Sequence, residues 1–313
     1  MKPAAVIVIL AVVLATAARA GELTLHLRSR VKLEAAGPAA QWCVMNQQRR
    51  IAPAETAIII CDMWDKHWSR GATERVAAMA PRMNRVVKAA RDMGIFIIHA
   101  PSETMGFSKD SPARKRMIDM PRVDPPRLPL QFYPRLPIDD SDGGSDTGET
   151  PWYKAWTRQH PAIEIDEERD GISDNGIEIW SALEYKGIRH VIIMGVHANM
   201  CIINRPFAIK ALAGRGMNVY LARDLTDAMY NPAMPPHVSH WQGTRLVVEY
   251  IERTFCPTIL SDDIAIVPGD DAGRFIDMLP ESSSPRPPAH GIENCPRLVG
   301  AGFQPRFPTR AVR

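Results

Sequence analysis

The sequence predicts an α/β protein whose mostly parallel sheet is covered by helices on both faces. Three observations carry this. The continuous apolar runs Ala57–Cys61, Ile95–Ile98 and Val191–Met194 suit strands buried on both faces. Between them lie segments whose apolar residues recur at helical spacing, as in Val76, Met79, Met83, Val86, Val87 and Ala90. The two kinds of segment alternate, which is the signature of strand–helix–strand units.

In chain order, residues 1–20 read as a secretory signal peptide. Lys2 supplies a positive start, Ala4–Ala17 an apolar run, and Ala18-Arg19-Ala20 a small-residue cleavage site. The run is about 14 residues, short of the roughly 20 a spanning helix needs. The mature chain is therefore expected to begin near Gly21 and to be secreted or periplasmic, with no membrane contact after cleavage. Residues 21–55 are polar and mixed, a leader expected to pack on the domain. Ala57–Asp62 is a strand ending in a carboxylate. A helix is predicted from Thr73, a suitable N-cap, to Met93, with Gly94 as its stop. Ile95–His99 is the next strand.

Residues from about 106 to 160 interrupt the alternation. Ser111-Pro112 suits the start of a short helix through Met120. Many of the chain's 27 prolines and the acidic stretch Asp139–Asp146 follow. Phe107, Phe132, Tyr133, Trp152, Tyr153 and Trp156 make the segment too aromatic for a disordered linker, so an ordered insertion or lid is expected. The acidic stretch lacks the spacing and closing Glu of a calcium loop and reads as a solvated turn. The alternation resumes with a short strand at Ala162–Ile165, a helix at Ser173–Lys186, a strand at Val191–Gly195 and a helix at Asn199–Ala213. Asn218–Leu221 is a strand, His240–Arg253 a helix and Thr258–Leu260 a last strand. The domain is expected to end near residue 267, and residues 268–313, rich in Pro and Arg, read as a disordered tail.

Composition narrows the function. Of 313 residues, 45% are hydrophobic and 23% charged, as in globular proteins. The net charge of +3 leaves no basic excess for nucleic-acid binding. The five cysteines are an odd number, so an exported chain keeps at least one free thiol; one disulfide among Cys43, Cys256 and Cys295 is compatible with this.

In such sheets ligands sit at the carboxyl ends of strands. There the sequence places Asp62, His99, His197, Asn199 and Cys201. Cys201 opens a helix, where backbone N–H groups and the helix dipole favour a thiolate and can stabilise an oxyanion. Spacing alone leaves two readings, a reactive nucleophile or a buried, inert thiol. Trp64, Trp68 and Phe107 either line a pocket beside it or pack in the core. His99 either contacts substrate or is a hydrogen-bonded strand-end histidine. Asn204 and Arg205 either bind substrate or face solvent.

The segments Asp62-Met63-Trp64-Asp65, Gly187-Ile188 and Gly195-Val196-His197-Ala198-Asn199-Met200-Cys201 resemble the isochorismatase-like cysteine hydrolases, which include nicotinamidases and N-carbamoylsarcosine amidases. The likeness covers about residues 55–105 and 160–262. It implies a three-layer α/β/α fold on an about six-stranded, mostly parallel sheet. It also implies Cys201 as nucleophile, Asp62 as acid/base, a cis peptide at Val196–His197, and oxyanion donors on the backbone of His197 and Cys201. The implied activity is hydrolysis of an amide or carbamoyl bond in a small molecule, without a cofactor, in a homo-oligomer. His99, Asn199, Trp64, Trp68 and Phe107 are the expected substrate contacts.

Two departures stand out. The family's lysine belongs some 30–40 residues before the cysteine, in the loop before the helix Ser173–Lys186, but residues 166–170 read Asp-Glu-Glu-Arg-Asp. Arg169 is the candidate replacement, Lys154 a more distant one, and Glu167 or Glu168 would push the thiol pKa the wrong way. The nicotinamidase metal pattern after the second strand is also missing, and Asp65, His67 and His99 offer no converging set of ligands, so no metal is expected. The absent lysine leaves a catalytically silent binding protein of the same fold as the alternative.

Overall fold

The computed structural model describes residues 21–33, 41–128, 130–150 and 153–266; the signal-peptide segment, the tail beyond 266 and Trp152 lie outside them. A single eight-stranded sheet organises these residues. The strands are β1 (Leu23–Leu33), β2 (Gln41–Ile51), β3 (Thr56–Cys61), β4 (Phe96–Ala100), β5 (Gly171–Ile172), β6 (His190–Val196), β7 (Asn218–Asp227) and β8 (Thr258–Ile259). Their order is β2-β1-β8-β7-β6-β3-β4-β5. The pairs from β8 through β5 are all parallel, while β1 lies antiparallel to both β2 and β8.

The sheet is two strands larger than expected, because residues 21–55 are not a mere leader. Leu23, Leu25 and Leu27 alternate with His26 and Arg28 and bury one side of β1. Buried carboxylates on the last long helix anchor the strand, since Arg28 and Arg30 both pair with Glu252. The expected strand at Ala162–Ile165 does not form; the edge position goes to the two-residue β5.

The helices are α1 (Arg70–Asp92), α2 (Pro112–Ile118), α3 (Gly176–Tyr185), α4 (Cys201–Asn204), α5 (Ile209–Gly214) and α6 (His240–Thr254). Helix α1 begins earlier than expected because Ser69, not Thr73, accepts the Ala72 N–H and caps it. The expected helix at 199–213 is broken into α4 and α5. Pro206 cannot donate and holds the preceding residue, Arg205, extended at φ −59° and ψ 148°.

Alternate residues of β3 enter different cores. Ala57, Ile59 and Cys61 pack with α3 and α6, while Ile58 and Ile60 pack under α1. That two-sided burial makes the three layers, and it explains why the strands are apolar without interruption. A third, smaller cluster of Trp64, Trp68, Ala72, Trp156 and Met229 sits at the carboxyl end of the sheet against Met200 and Cys201. No helix among the described residues is long and apolar enough to cross a membrane.

Candidate active site

The ends of β3 and β6 meet where the site forms. Gly195, at φ +114°, is required here: a Cβ would lie 2.0 Å from the Cys61 carbonyl oxygen. After that close approach, just past the end of β3, lies Asp62, whose own φ is +49°. Asp62 is fully buried. One oxygen accepts the Ser102 N–H at 2.7 Å and the other accepts Arg205 Nε at 2.9 Å. The charge of the same carboxylate acts on the neighbouring Cys201 thiol and raises its pKa. After β6, the Val196–His197 peptide is cis, and the His197 backbone acts on the Cys201 thiol in the opposite sense.

Arg205 follows the short helix that Cys201 opens. Its N–H donates to the Cys201 carbonyl at 3.0 Å, and the extended backbone before Pro206 turns its side chain back onto Asp62. Cysteine, aspartate and a cation therefore share one corner, with the cation four residues after the cysteine.

The charge balance of this corner differs from expectation. Burial, and then the Asp62 charge, push the Cys201 thiol up to about 12, against a smaller opposing effect of Arg205 and the His197 N–H. A four-residue α4 has little dipole to offer, so the thiolate predicted from the helix start is not favoured at rest. Burial also raises Asp62, with Arg205 as the largest opposing influence. At rest the thiol is neutral beside a carboxylate that Arg205 holds.

The corner opens into a cavity of about 210 Å³ lined by Trp64, His67, Trp68, Glu103, Gly143, Trp156, His197, Met200, Cys201, Arg205 and Met229. The insertion adds Gly143 and Trp156 to its wall. Trp156 stacks on Trp64 with ring centroids 4.3 Å apart, and Gly143 lies over Trp68 with no room for more than a small side chain. The acidic stretch is stapled down rather than solvated: Asp140 accepts from Asn199, Asp142 from Asn231 and Asp146 from both ends of the Arg75 guanidinium. Asp65 binds the backbone and hydroxyl of Thr157, which fixes the other end of the insertion.

With this geometry in place, comparison decides the family. A family model for the isochorismatase domain matches residues 56–234, more than half of the chain. The chain belongs to the isochorismatase family. That membership and the α/β fold support a hydrolase-like function. No curated protein matches it. Among solved structures it is similar to a cysteine hydrolase from Pseudomonas syringae pv. phaseolicola, at 17% identity and TM-score 0.44 over 78% of this chain and 99% of that one. It is also similar to the MAR1 ribonuclease of Caenorhabditis elegans, at 13% identity and TM-score 0.39 over 77% and 100% of the two chains. An isochorismatase family protein from Burkholderia thailandensis follows at 11% identity and TM-score 0.38 over 72% and 96%.

Within this isochorismatase-family chain, the predicted residues divide. Asp62, Cys201, the His197 backbone, Trp64 and Trp68 come together at the cavity. Arg169 does not. It lies on the surface with its Nε on Asp166 at 2.7 Å and a second contact to Asp92. Glu167 is spent on α2, where it accepts from Ser111 and Ala113, and Lys154 donates to the Glu103 carbonyl at the cavity rim. Phe107 is 62% exposed under Arg158 rather than in the pocket. His99 is fully buried between Gln159 and Asp170, a strand-end histidine of structure rather than a substrate contact. Asn199 braces the wall through Asp140 and both backbone groups of Met229. The residues that sequence reasoning left undecided or missed are Arg205, His67 and Trp156. For Arg205 the helical spacing gave no signal, because Pro206 ends the turn and the extended Arg205 backbone redirects its side chain.

Proposed function

We propose that the chain is a cysteine hydrolase of small amides or carbamoyl compounds, working through Cys201, Asp62 and Arg205. The observation that supports this best is the shared carboxylate: Asp62 accepts from Arg205 and lies against the Cys201 thiol, whose pKa its charge raises, at one end of a largely aromatic cavity.

In the proposed cycle the Cys201 sulfur attacks the substrate carbonyl carbon while its proton passes to Asp62. Arginine cannot exchange protons at neutral pH, so Arg205 holds the carboxylate and Asp62 alone carries the proton. The negative oxygen is met by the backbone N–H groups of Cys201 and His197. Asp62 then protonates the leaving nitrogen, the carbon–nitrogen bond breaks, and a thioester remains on Cys201. Water adds with its proton going to Asp62, the carbon–sulfur bond breaks, and Asp62 returns the proton to the thiol.

The raised Cys201 pKa fits a proton transferred during attack rather than a stored thiolate. The alternative of a silent binding protein rested on a missing cation, and Arg205 offers one. Release of ammonia from a panel of small primary amides and carbamoyl compounds tests the reading. Turnover should fall at least about 10³-fold in Cys201→Ala with the melting temperature kept, and activity that survives would contradict it.

The composition of residues 1–20 further supports export, and Cys43 is disulfide-bonded, which suits an oxidising compartment. Recovery of a mature chain beginning near Gly21 from the periplasm or medium is the expected result; an intact Met1 terminus in the cytosol would contradict it.

A further inference from the structure

The cavity has a second polar feature that the proposed cycle does not use. His67 lines it beside Cys201 and Arg205. Its Nδ1 accepts the Ser69 N–H at 3.1 Å, so the ring's single proton sits on Nε2. Among the described residues Nε2 has no hydrogen-bond partner. The ring is held from several sides. It lies nearly parallel to Trp156 with centroids 5.7 Å apart, tilted against Trp68 at 5.3 Å and edge-on to His197 at 5.1 Å. Its backbone is pinned as well: Thr73 Oγ1 accepts the His67 N–H at 2.9 Å and donates to the His67 carbonyl at 3.1 Å.

The surroundings define what such a donor is for. The rest of the wall is chiefly Trp64, Trp68, Trp156, Met200 and Met229, which offer the substrate bulk but little direction. Burial pushes the His67 pKa down to about 4, with Arg75 adding to it, so the imidazole donates as a neutral group. His197 adds a buried Nε2 without a partner on the same wall. An N–H fixed in place on an otherwise largely apolar wall discriminates between ligands with and without an acceptor, because a bound ligand that lacks one takes water from the donor and returns no hydrogen bond.

We propose that His67 is the specificity-determining donor of this site, and that its Nε2–H selects neutral small amides carrying a second hydrogen-bond acceptor, such as an ether oxygen or ring nitrogen, besides the scissile carbonyl. The proposal rests on reading the Cys201 cavity as the substrate site.

The test uses shape-matched probes that differ in that acceptor: cyclohexanecarboxamide against oxane-4-carboxamide, and benzamide against pyridine-4-carboxamide. Titration calorimetry on the full chain carrying Cys201→Ala reads binding without turnover. The acceptor-bearing member of each pair binds at least tenfold tighter, and adding His67→Phe brings the two members to within about twofold without weakening the acceptor-free one. Equal binding, binding by neither member, or a preference that survives His67→Phe overturns the proposal. Should His67→Phe not fold, long-range ¹H–¹⁵N spectra of the Cys201→Ala protein decide instead. Nε2–H must be the tautomer and must shift with the acceptor-bearing probe only; an Nδ1–H tautomer or equal shifts overturn the assignment. Ammonia release by the wild type separates the two readings. Selective binding with no hydrolysis of any probe removes the hydrolase and keeps the selector, while hydrolysis without preference does the reverse.

Discussion

Arg205→Met removes the guanidinium from Asp62 and leaves a side chain of similar length. The two charges lie near contact distance, with Nε 2.9 Å from the carboxylate. Taking about 4 Å between charge centres and an effective dielectric near 20, their attraction is about 4 kcal/mol. Arg205 is 27% exposed, so solvent lowers this to about 2–3 kcal/mol. Burial raises Asp62 and Arg205 is the largest influence opposing that, so loss of Arg205 raises it further and makes it a poorer resting acceptor for the thiol proton. Turnover is expected to fall at least about 10²-fold, within the range assigned to general acid–base catalysis. Denaturant unfolding of wild type, Arg205→Met, Asp62→Asn and the double variant supplies the matching stability cycle. Coupling of about 2 kcal/mol or more is expected, since Asp62→Asn removes the charge that Arg205→Met strands. Additivity within about 0.5 kcal/mol would refute the pairing as the organiser of the site.

Other outcomes follow from the same geometry. Cys201 alkylation by iodoacetamide at pH 8 should run slower than that of a free thiol and speed up in Asp62→Asn, because the carboxylate charge helps to raise the thiol pKa; a rate faster than a free thiol would contradict this. Gly195→Ala should destabilise the protein by more than about 3 kcal/mol, since the new Cβ meets the Cys61 carbonyl and the backbone is left-handed, and unfolding within 1 kcal/mol of wild type would be inconsistent with it. Asp146→Ala should free the insertion from Arg75 and speed limited proteolysis within residues 139–150; an unchanged cleavage rate would argue that the staple does not hold the wall. His67 and His190 are each held down to about 4, chiefly by burial. Their folded pKa values lie below the unfolded ones, so their contribution is present above about pH 6.5 and is lost as pH falls toward 4. His190→Gln should therefore lose less stability than wild type between pH 7 and 4.5 in urea unfolding, and an identical loss would count against the burial argument.

The central sheet was readable because its strands are buried on both faces, which leaves uninterrupted apolar runs such as Ala57–Cys61. The outer pair β1 and β2 is half-buried and carries its signal only as alternation, in Leu23, Leu25 and Leu27, diluted by arginines whose partners lie on α6. Asp62 and Cys201 were legible because strand ends and a helix start fix where they point. Arg205 was not, since its role depends on Pro206 breaking the helix, a local event that the apolar spacing of residues 199–213 conceals. Phe107 and Arg169 misled for the opposite reason. Nearness in sequence to the site says nothing about the direction of a loop, and both point to solvent. The insertion reaches the pocket through Gly143 and Trp156 because Asp140, Asp142 and Asp146 are fixed by partners far away in sequence.

The central claim is that Cys201 carries the substrate's acyl group with Asp62 moving the proton. Intact-mass spectrometry of acid-quenched wild-type protein during turnover of a small amide, followed by peptide mapping, tests it most directly. The account predicts a mass increase equal to the acyl group, confined to the peptide containing Cys201, absent in Cys201→Ala and strongly reduced in Asp62→Asn. Turnover that proceeds with no adduct, or with the adduct on another residue, would contradict it.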